Sequence, residues 1–373
     1  MSMPEMKVNW KEMVCLFNTM IMDGRRTVDI WSDLLDVRLM SFDLQKCQVI
    51  NIIEKASIDE KLSALGNGLD DRLQKELPEW SDLRDAFRIS LISPPKNLLD
   101  LVNRINNIIS DNRKKKGYHK DVCLALDTNI AYNRLLSHLI FHSRSLGLLD
   151  ENLSGTSIVV PNLVKLELSQ NFPKFRADEI DALVRSMNAN QQRIRSVRRW
   201  NGCGKKKARK AKNAFSELTA LRSAKDVHVF NNGPEIWSED NEVRDLQIIE
   251  SLGQMAKDQS KDVVLFSIDK DVEARSEPYH IEGFTIEYYP DLGRSFKADH
   301  WMMGDLLYQT GLLFGALSIK GTGIKMFSDW AGKTMDEYRD DLGLLEFDGG
   351  STSMEVNNNL NLCREISEII RKC

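Results

Sequence analysis

Two acidic side chains follow short apolar segments that have the composition of buried strands. Asp127 comes directly after residues 122–126, and Asp269 comes directly after residues 263–268. In an open α/β sheet, the carboxyl ends of the strands form the edge at which ligands bind. An aspartate after a strand is more often a turn former or a helix cap. Each of these two positions is therefore a weak signal when taken alone.

Two further carboxylates lie on predicted helices. Glu167 lies about two turns into a helix that begins near Pro161, and Asp245 lies on a later helix whose predicted N-cap is Ser238. Carboxylates gathered at one sheet edge repel one another unless a divalent cation neutralises them. Oxygen ligands favour Mg²⁺ or Mn²⁺ over zinc, and such a metal activates water and stabilises the charge that develops on a phosphodiester. The chemistry indicated is metal-dependent phosphodiester hydrolysis.

The order of these segments resembles the PIN domain family of metal-dependent nucleases. The chain contains strand-Asp-Thr-Asn, then strand-Pro-helix-Glu, then Asp on a helix, then strand-Ser-x-Asp-x-Asp, all within residues 119–291. The resemblance implies RNA as the commoner substrate and products with 5′-phosphate and 3′-hydroxyl ends. It also implies an acidic pocket with two supporting side chains: Asp127, Glu167, Asp245 and Asp269 as the acids, with Asn129 and Ser267 in support.

Two of the four acids have competitors. About 77 residues separate Glu167 from Asp245, which is more than a compact PIN domain needs, so Asp240 is an alternative to Asp245. Asp271 similarly competes with Asp269 and is included among the predicted metal ligands. The predicted cofactor is Mg²⁺ or Mn²⁺.

The extra length between Glu167 and Asp245 is strongly basic. Residues 185–225 contain 13 Lys and Arg against one Glu, a net charge of +12, whereas residues 226–291 carry a net charge of −11. An ordinary charge run is a solvated helix face, but this density favours contact with a phosphate backbone, and an aromatic ring within it can stack on an unpaired base. The predicted nucleic-acid-binding residues are Arg198, Arg199, Trp200, Lys205, Lys206 and Lys207.

The positions of the predicted strands and helices divide the chain into three regions. Residues 1–118 are predicted to be a helical N-terminal region, and residues 119–291 a PIN-like domain with the basic insertion at about 185–225. Strands that alternate with helices indicate βαβ units, so we expect a three-layer α/β/α domain with a mainly parallel sheet. Residues 292–373 are predicted to be a helical C-terminal region, with a flexible link near 347–359.

The composition limits the class of protein. Of 373 residues, 42% are hydrophobic and 28% are charged, which is typical of a globular chain with two or three domains. No segment reaches the roughly 18–20 consecutive apolar residues of a membrane span, and the first twenty residues lack the apolar run of a secretory signal. We expect a soluble, cytoplasmic protein without membrane contact, in which six cysteines without a C-x-x-C pair remain reduced.

Three function classes are compatible with these residues. The first is a PIN-type endoribonuclease that acts on single-stranded RNA, with the flanking helical regions available for a protein partner or an oligomer contact. The second is a haloacid-dehalogenase-type phosphatase or phosphotransferase, but that site needs a second acid where this chain has Asn129. The third is a non-catalytic nucleic-acid-binding or scaffold protein with a PIN-like domain, against which the retention of all four acids argues.

Overall fold

The computed structural model describes residues 4–114, 121–139, 156–169, 172–187, 191–223, 227–233, 238, 240–330 and 341–372. The chain forms two compact units. Unit 1 comprises Met1–Ser93, Pro173–Arg209 and Asp291–Cys373, and unit 2 comprises Pro94–Phe172 and Lys210–Pro290. Each unit is thus assembled from segments that are far apart in the sequence.

The strands of both units are numbered in chain order. They are β1 (Glu5–Asn9), β2 (Thr27–Ser32), β3 (Val37–Asp43), β4 (Gln48–Ile50), β5 (Val122–Leu126), β6 (Thr156–Pro161), β7 (Val227–Asn232), β8 (Asp262–Ser267), β9 (Glu282–Thr285), β10 (Phe296–Lys297), β11 (Ala316–Ile319), β12 (Ile324–Phe327) and β13 (Leu342–Phe347).

The helices are numbered in the same way. They are α1 (Met13–Met22), α2 (Lys55–Gly66), α3 (Asp71–Gln74), α4 (Trp80–Ile89), α5 (Leu98–Lys114), α6 (Thr128–Tyr132), α7 (Asn162–Ser169), α8 (Ala177–Ser186), α9 (Gln191–Arg198), α10 (Lys206–Ser223), α11 (Asn241–Asp258), α12 (Val272–Ser276), α13 (His300–Phe314) and α14 (Ser351–Lys372).

Unit 1 is built on an eight-stranded antiparallel sheet with the order β1-β13-β12-β11-β2-β3-β4-β10. Helix α13 is the central helix of this unit, since every residue from 303 to 314 is buried. The helix is therefore covered on all sides, and its buried residues include the polar Asp305, Gln309 and Thr310. The helix ends at Gly315, whose φ of 87° favours glycine, and a Cβ there would overlap the ring of Trp200.

The prediction that both terminal regions are helical was incomplete, because each region contributes strands as well as helices. Residues 1–118 contribute β1 to β4, and residues 292–373 contribute β10 to β13, all to the antiparallel sheet of unit 1. These strands alternate buried and exposed residues only in part. Buried residues alternate with more exposed ones in β1 and β2, whereas in β3 four consecutive residues are buried, so the period-2 pattern that identifies a strand is missing from β3.

The flexible link predicted near residues 347–359 is also absent, because α14 already begins at Ser351. The connection from β13 consists of Asp348, Gly349 and Gly350 alone. The Asp348 Oδ1 atom accepts hydrogen bonds from the Gly350 N–H at 2.9 Å and from the Ser353 hydroxyl at 3.1 Å. The Gly-Ser-Thr-Ser composition therefore marks a helix start stabilised by side-chain oxygens rather than a mobile linker.

Unit 2 contains a five-stranded sheet in which all neighbours are parallel, so the predicted parallel sheet is confirmed. Its order is β7-β6-β5-β8-β9. Every residue of β5 is buried, as are the last five residues of β8, which is the pattern of strands covered on both faces. The register pairs Leu126 of β5 with Phe266 of β8, so these two strands end side by side.

The limits of the two units differ from the predicted domain limits. Unit 2 begins at Pro94 and includes helix α5, which contacts β5 and β6 and which the sequence had assigned to the N-terminal region. Residues 173–209, which contain most of the basic insertion, belong to unit 1. Among the residues that the structure describes, no helix is both long enough and apolar enough to cross a membrane.

Candidate active site

The strand order of unit 2 creates a topological switch point between β5 and β8. From β5 the chain proceeds to β6 and then β7 on one side, and it later returns to β8 on the other side of β5. At such a point the connections leave the sheet in opposite directions and open a crevice beyond the carboxyl ends of the strands. Asp127 directly follows β5, and Asp269 lies two residues after β8. Both aspartates therefore lie at the edge where an α/β sheet binds its ligand.

The carboxylate of Asp127 is held by donors on both of its oxygens. The Thr128 N–H donates to Oδ1 at 2.6 Å, which makes Asp127 the N-cap of α6. The Ser267 hydroxyl donates to Oδ2 at 2.7 Å. The same hydroxyl oxygen accepts the N–H of Asp269 at 3.1 Å. Ser267 thus links the two aspartates at the ends of the neighbouring strands.

Burial raises the pKa of Asp127 to about 6. The hydrogen bonds from Ser267 and Thr128 act in the opposite direction, while the negative charges of Asp269 and Asp245 raise the pKa further. The raised pKa means that the hydrogen bonds to the Asp127 carboxylate do not compensate fully for its burial and for the nearby negative charges. The three aspartates are therefore close enough to repel one another.

Asp245 lies one turn into α11 and is half-buried. Burial raises its pKa, and Asp269 and Glu167 raise it further, against the charges of Arg275 and Arg244. The Nη1 atom of Arg275 lies 3.9 Å from the Asp245 Oδ2 atom. Asp245 is thus within electrostatic range of two other predicted acids and of a cationic side chain that the sequence had not indicated.

Glu167 approaches the site from α7 and accepts a hydrogen bond from the Thr128 hydroxyl at 2.7 Å. Thr128 follows Asp127 directly, so one residue fixes two acids, one through its N–H and one through its hydroxyl. Tyr132 on α6 is also near, because Glu167 and Asp127 both contribute to the raised pKa of its phenol, after burial as the main cause.

The acids at the sheet edge share one cleft. Three of its lining residues are the aspartates Asp127, Asp245 and Asp269, and the polar lining is completed by Ser267 and Arg275. Four apolar side chains form the remainder: Ile248, Ile249, Leu265 and Val272. The cleft thus combines acceptor oxygens, one hydroxyl and one guanidinium on an apolar base.

The competing acids have different positions. Asp240 is the N-cap of α11, where its Oδ1 atom accepts the N–H of Glu242 at 2.9 Å, so it acts as a helix cap, whereas Asp245 lines the cleft. Asp271 is exposed, precedes α12 and does not line the cleft. Asn129 is half-buried on α6 and does not line the cleft either, although its carbonyl accepts the side-chain N–H of Asn133 at 2.8 Å.

The predicted stacking role of Trp200 was wrong, because its side chain is fully buried in unit 1. Its ring lies 5.5 Å from that of Phe175, and the Arg209 guanidinium lies 4.6 Å from its centroid. A buried ring that packs against Gly315 is not available to an unpaired base. The tryptophan of the basic segment therefore belongs to a protein core.

Three of the five predicted phosphate-contacting cations already have acidic partners within unit 1. Arg199 pairs with Glu5 and Glu346. Lys205 lies 2.6 Å from Glu179, and Lys206 lies 2.9 Å from Glu79 and 3.1 Å from Asp82. Arg198 and Lys207 are exposed. The net charge of +12 along the sequence thus overstates the charge that this segment presents to a polyanion.

Comparison of the chain with protein-family models, with curated proteins and with solved structures finds no match.

Proposed function

We propose that unit 2 is a PIN-like three-layer α/β/α domain and that the protein is a metal-dependent endoribonuclease that hydrolyses single-stranded RNA. The observation that supports this most strongly is the shared cleft of Asp127, Asp245 and Asp269 beside the switch point of a parallel sheet. The order of the acids along the chain, which resembles the PIN family, supports the same assignment.

The donor chemistry of the cleft fits Mg²⁺ or Mn²⁺. Its acceptors are carboxylate and hydroxyl oxygens, which hard divalent cations prefer. Among the described residues, no three His, Cys, Asp or Glu side chains lie close enough to enclose a metal ion. Mg²⁺ commonly retains several water ligands and binds through one or two carboxylates. Asp127, Asp245 and Asp269 would hold such a cation in the cleft.

When bound, such a metal supplies a Lewis acid that activates water and stabilises the negative charge on a phosphodiester under attack. The chain's own residues orient the acids. Ser267 and Thr128 fix the two oxygens of Asp127, and the Thr128 hydroxyl fixes Glu167. Because preorganised donors need no rearrangement during the reaction, they lower its barrier.

Arg275 is the cationic residue that lines the cleft. Its guanidinium lies near the Asp245 carboxylate. A guanidinium donates two parallel hydrogen bonds to a phosphate as well as to a carboxylate. We assign to Arg275 the contact with an RNA phosphate beside the scissile bond, and to the exposed Arg198 and Lys207 a sequence-independent electrostatic attraction of RNA.

The test compares wild-type protein with Asp127→Asn and Asp245→Asn on circular single-stranded RNA in Mn²⁺. A circular substrate has no ends, so its linearisation reports endonucleolytic cleavage alone. Asp271→Asn is the matched control, because Asp271 is an exposed aspartate near the site that does not line the cleft.

We expect cleavage by the wild type and by Asp271→Asn, and a loss of at least about 100-fold in each of the two cleft variants, the magnitude of a lost electrostatic contribution in an active site. Equal cleavage by wild type and Asp127→Asn would assign the activity to another site or to a contaminant. Binding without cleavage by the wild type would favour the non-catalytic alternative.

A further inference from the structure

Two cysteines of unit 1 lie side by side although 348 positions separate them in the sequence. Cys15 is on α1 and Cys363 is on α14, and their Sγ atoms are 3.2 Å apart. Cys15 is half-buried and Cys363 is exposed. Both are free thiols in the structure. In the sequence, both cysteines are far from every residue that the proposed nuclease reaction uses. They belong to unit 1, whereas the cleft belongs to unit 2.

The contacts on both sides of the two thiols hold the helices in register. The Arg364 guanidinium donates to the Glu12 carboxylate at 2.7 and 2.9 Å and also to the Lys7 carbonyl. One turn earlier on α14, the Asn359 side chain donates to the Thr19 hydroxyl at 3.1 Å. The thiols therefore face each other in a packed interface rather than at a chance contact of two mobile side chains.

We propose that Cys15 and Cys363 form a reversible disulfide that fastens the C-terminal helix α14 to α1. A disulfide requires an S–S separation of about 2.05 Å, so the Sγ atoms must approach by roughly 1.1 Å, a distance that a small change of the side-chain torsions covers. Because Cys363 is exposed, an oxidant in solution reaches the pair without unfolding.

The oxidant class is a low-molecular-weight disulfide. The Cys363 thiolate attacks one sulfur of that disulfide, a protein mixed disulfide forms, and the other half leaves as a thiolate. The Cys15 thiolate then attacks the Cys363 sulfur, the protein disulfide forms, and the second half leaves. In total, two protein thiols are oxidised, one small disulfide is reduced to two thiols, and the two protons pass to those thiols.

The order of attack follows from the surroundings of the two sulfurs. Burial and the hydrogen bond with Cys363 raise the pKa of Cys15 to about 12, which makes Cys15 the poorer first nucleophile. The exposed Cys363 therefore reacts first. Once Cys363 is in the mixed disulfide, its thiol no longer raises the pKa of Cys15, and the short distance between the two sulfurs favours attack by Cys15.

The disulfide would close a loop that contains most of the chain. In a chain-entropy description, a cross-link between distant positions restricts the unfolded state more as the loop lengthens. The residues of α14 beyond Leu360 are exposed or half-buried as far as Ile369, and Leu362, Ile366 and Ile369 leave large apolar surfaces uncovered. Oxidation would thus fix the part of the helix that has the fewest other contacts in unit 1.

The test uses full-length protein carrying Cys373→Ser, because Cys373 lies outside the described residues and its thiol would otherwise compete for Cys363. The protein is incubated with oxidised glutathione, free thiols are blocked, and tryptic peptides are analysed by mass spectrometry. Cleavage at Lys and Arg gives peptide 12–25, which contains Cys15, and peptide 340–364, which contains Cys363. We expect these two peptides to be linked, and dithiothreitol to separate them.

Three variants in the same background make the result specific. Cys15→Ser is expected to accumulate the glutathione adduct at Cys363 without a peptide link, and Cys363→Ser to form no link. Cys47→Ser is the matched control, because Cys47 is also half-buried but lies near His300 rather than near a cysteine, and it is expected to form the link as the wild type does.

The melting temperature supplies a second measurement. The linked protein is expected to melt at least about 3 °C above its reduced form, with no such rise in Cys15→Ser. An adduct at Cys363 that never resolves into the linked peptides, or a link from Cys363 to any other cysteine, would overturn the proposal. Neither outcome depends on whether the protein cleaves RNA.

Discussion

Glu217 offers a quantitative test of the packing within unit 2. The residue lies on α10 and its side chain has no solvent exposure. Its Oε1 atom accepts the N–H groups of Leu136 and Ser137, each at 3.0 Å. Burial raises the pKa of Glu217 to about 7 from its ordinary value of 4.5, although the two N–H groups and the charge of Arg134 act in the opposite direction.

This pKa shift makes the stability depend on pH. The folded protein keeps the Glu217 proton up to a pH of about 7, whereas the unfolded chain releases it near pH 4.5. Between these values the unfolded state binds fewer protons, so the free energy of unfolding decreases as the pH rises. At about 1.36 kcal/mol per pKa unit, the loss that Glu217 causes between pH 4 and pH 8 is about 3 kcal/mol.

The substitution Glu217→Gln isolates this contribution. Glutamine keeps the shape and the acceptor oxygen for both N–H groups but does not ionise. Urea unfolding followed by circular dichroism at several pH values gives the difference in stability between variant and wild type. We expect this difference to shift by about 3 kcal/mol in favour of the variant from pH 4 to pH 8, and Glu242→Gln, at an exposed glutamate, to shift by less than about 0.5 kcal/mol.

Arg134, whose positive charge lowers the pKa of Glu217, is present in both the wild type and the variant. A difference that stays constant with pH would refute the reasoning, because it would mean that Glu217 is ionised throughout and that Arg134 and the two N–H groups compensate its burial.

Three further predictions concern the cleft and the basic segment. Trp200→Ala should destabilise the protein by about 3–5 kcal/mol in urea unfolding, and unchanged stability would show that the ring is not buried. Ser267→Ala removes the hydroxyl between Asp127 and Asp269, so we expect the RNA cleavage rate constant to fall at least about 10-fold with little change in RNA affinity, whereas a loss of affinity alone would contradict a positioning role. Arg275→Gln removes a cation that competes for Asp245, so calorimetric titration should show tighter Mn²⁺ binding and weaker RNA binding, and unchanged values for both would exclude Arg275 from the site.

The sequence identified the acids that follow strands more readily than it decided between Asp240 and Asp245. Asp127 and Asp269 were identifiable because each follows a strand that is buried on both faces and is therefore apolar without interruption. The choice between Asp240 and Asp245 was not accessible in the same way. It depends on which acid caps α11 and which faces the cleft, and that depends on the start of a helix, which sequence patterns locate only to within a few residues.

Other parts of the fold could not be predicted from the sequence, because they depend on contacts between residues that are far apart along the chain. The charges of Arg199 and Lys206 look unpaired in the sequence because their partners, Glu346 and Asp82, are far away along the chain. Similarly, the apolar segment from Leu306 to Ile319 has the composition of a packed helix. The helix instead ends at Gly315 and β11 follows, because a positive φ at that glycine and the antiparallel partners β2 and β12 favour a strand.

Anomalous scattering from a crystal soaked in Mn²⁺ locates the metal independently of any activity. We expect a Mn²⁺ peak in the cleft of unit 2, within coordination distance of Asp127 or Asp269, and the loss of that peak in Asp127→Asn. A wild-type crystal without a peak in the cleft, or with its Mn²⁺ at Asp240 or Asp271 instead, would contradict the assignment of Asp127, Asp245 and Asp269 as a metal-dependent nuclease site.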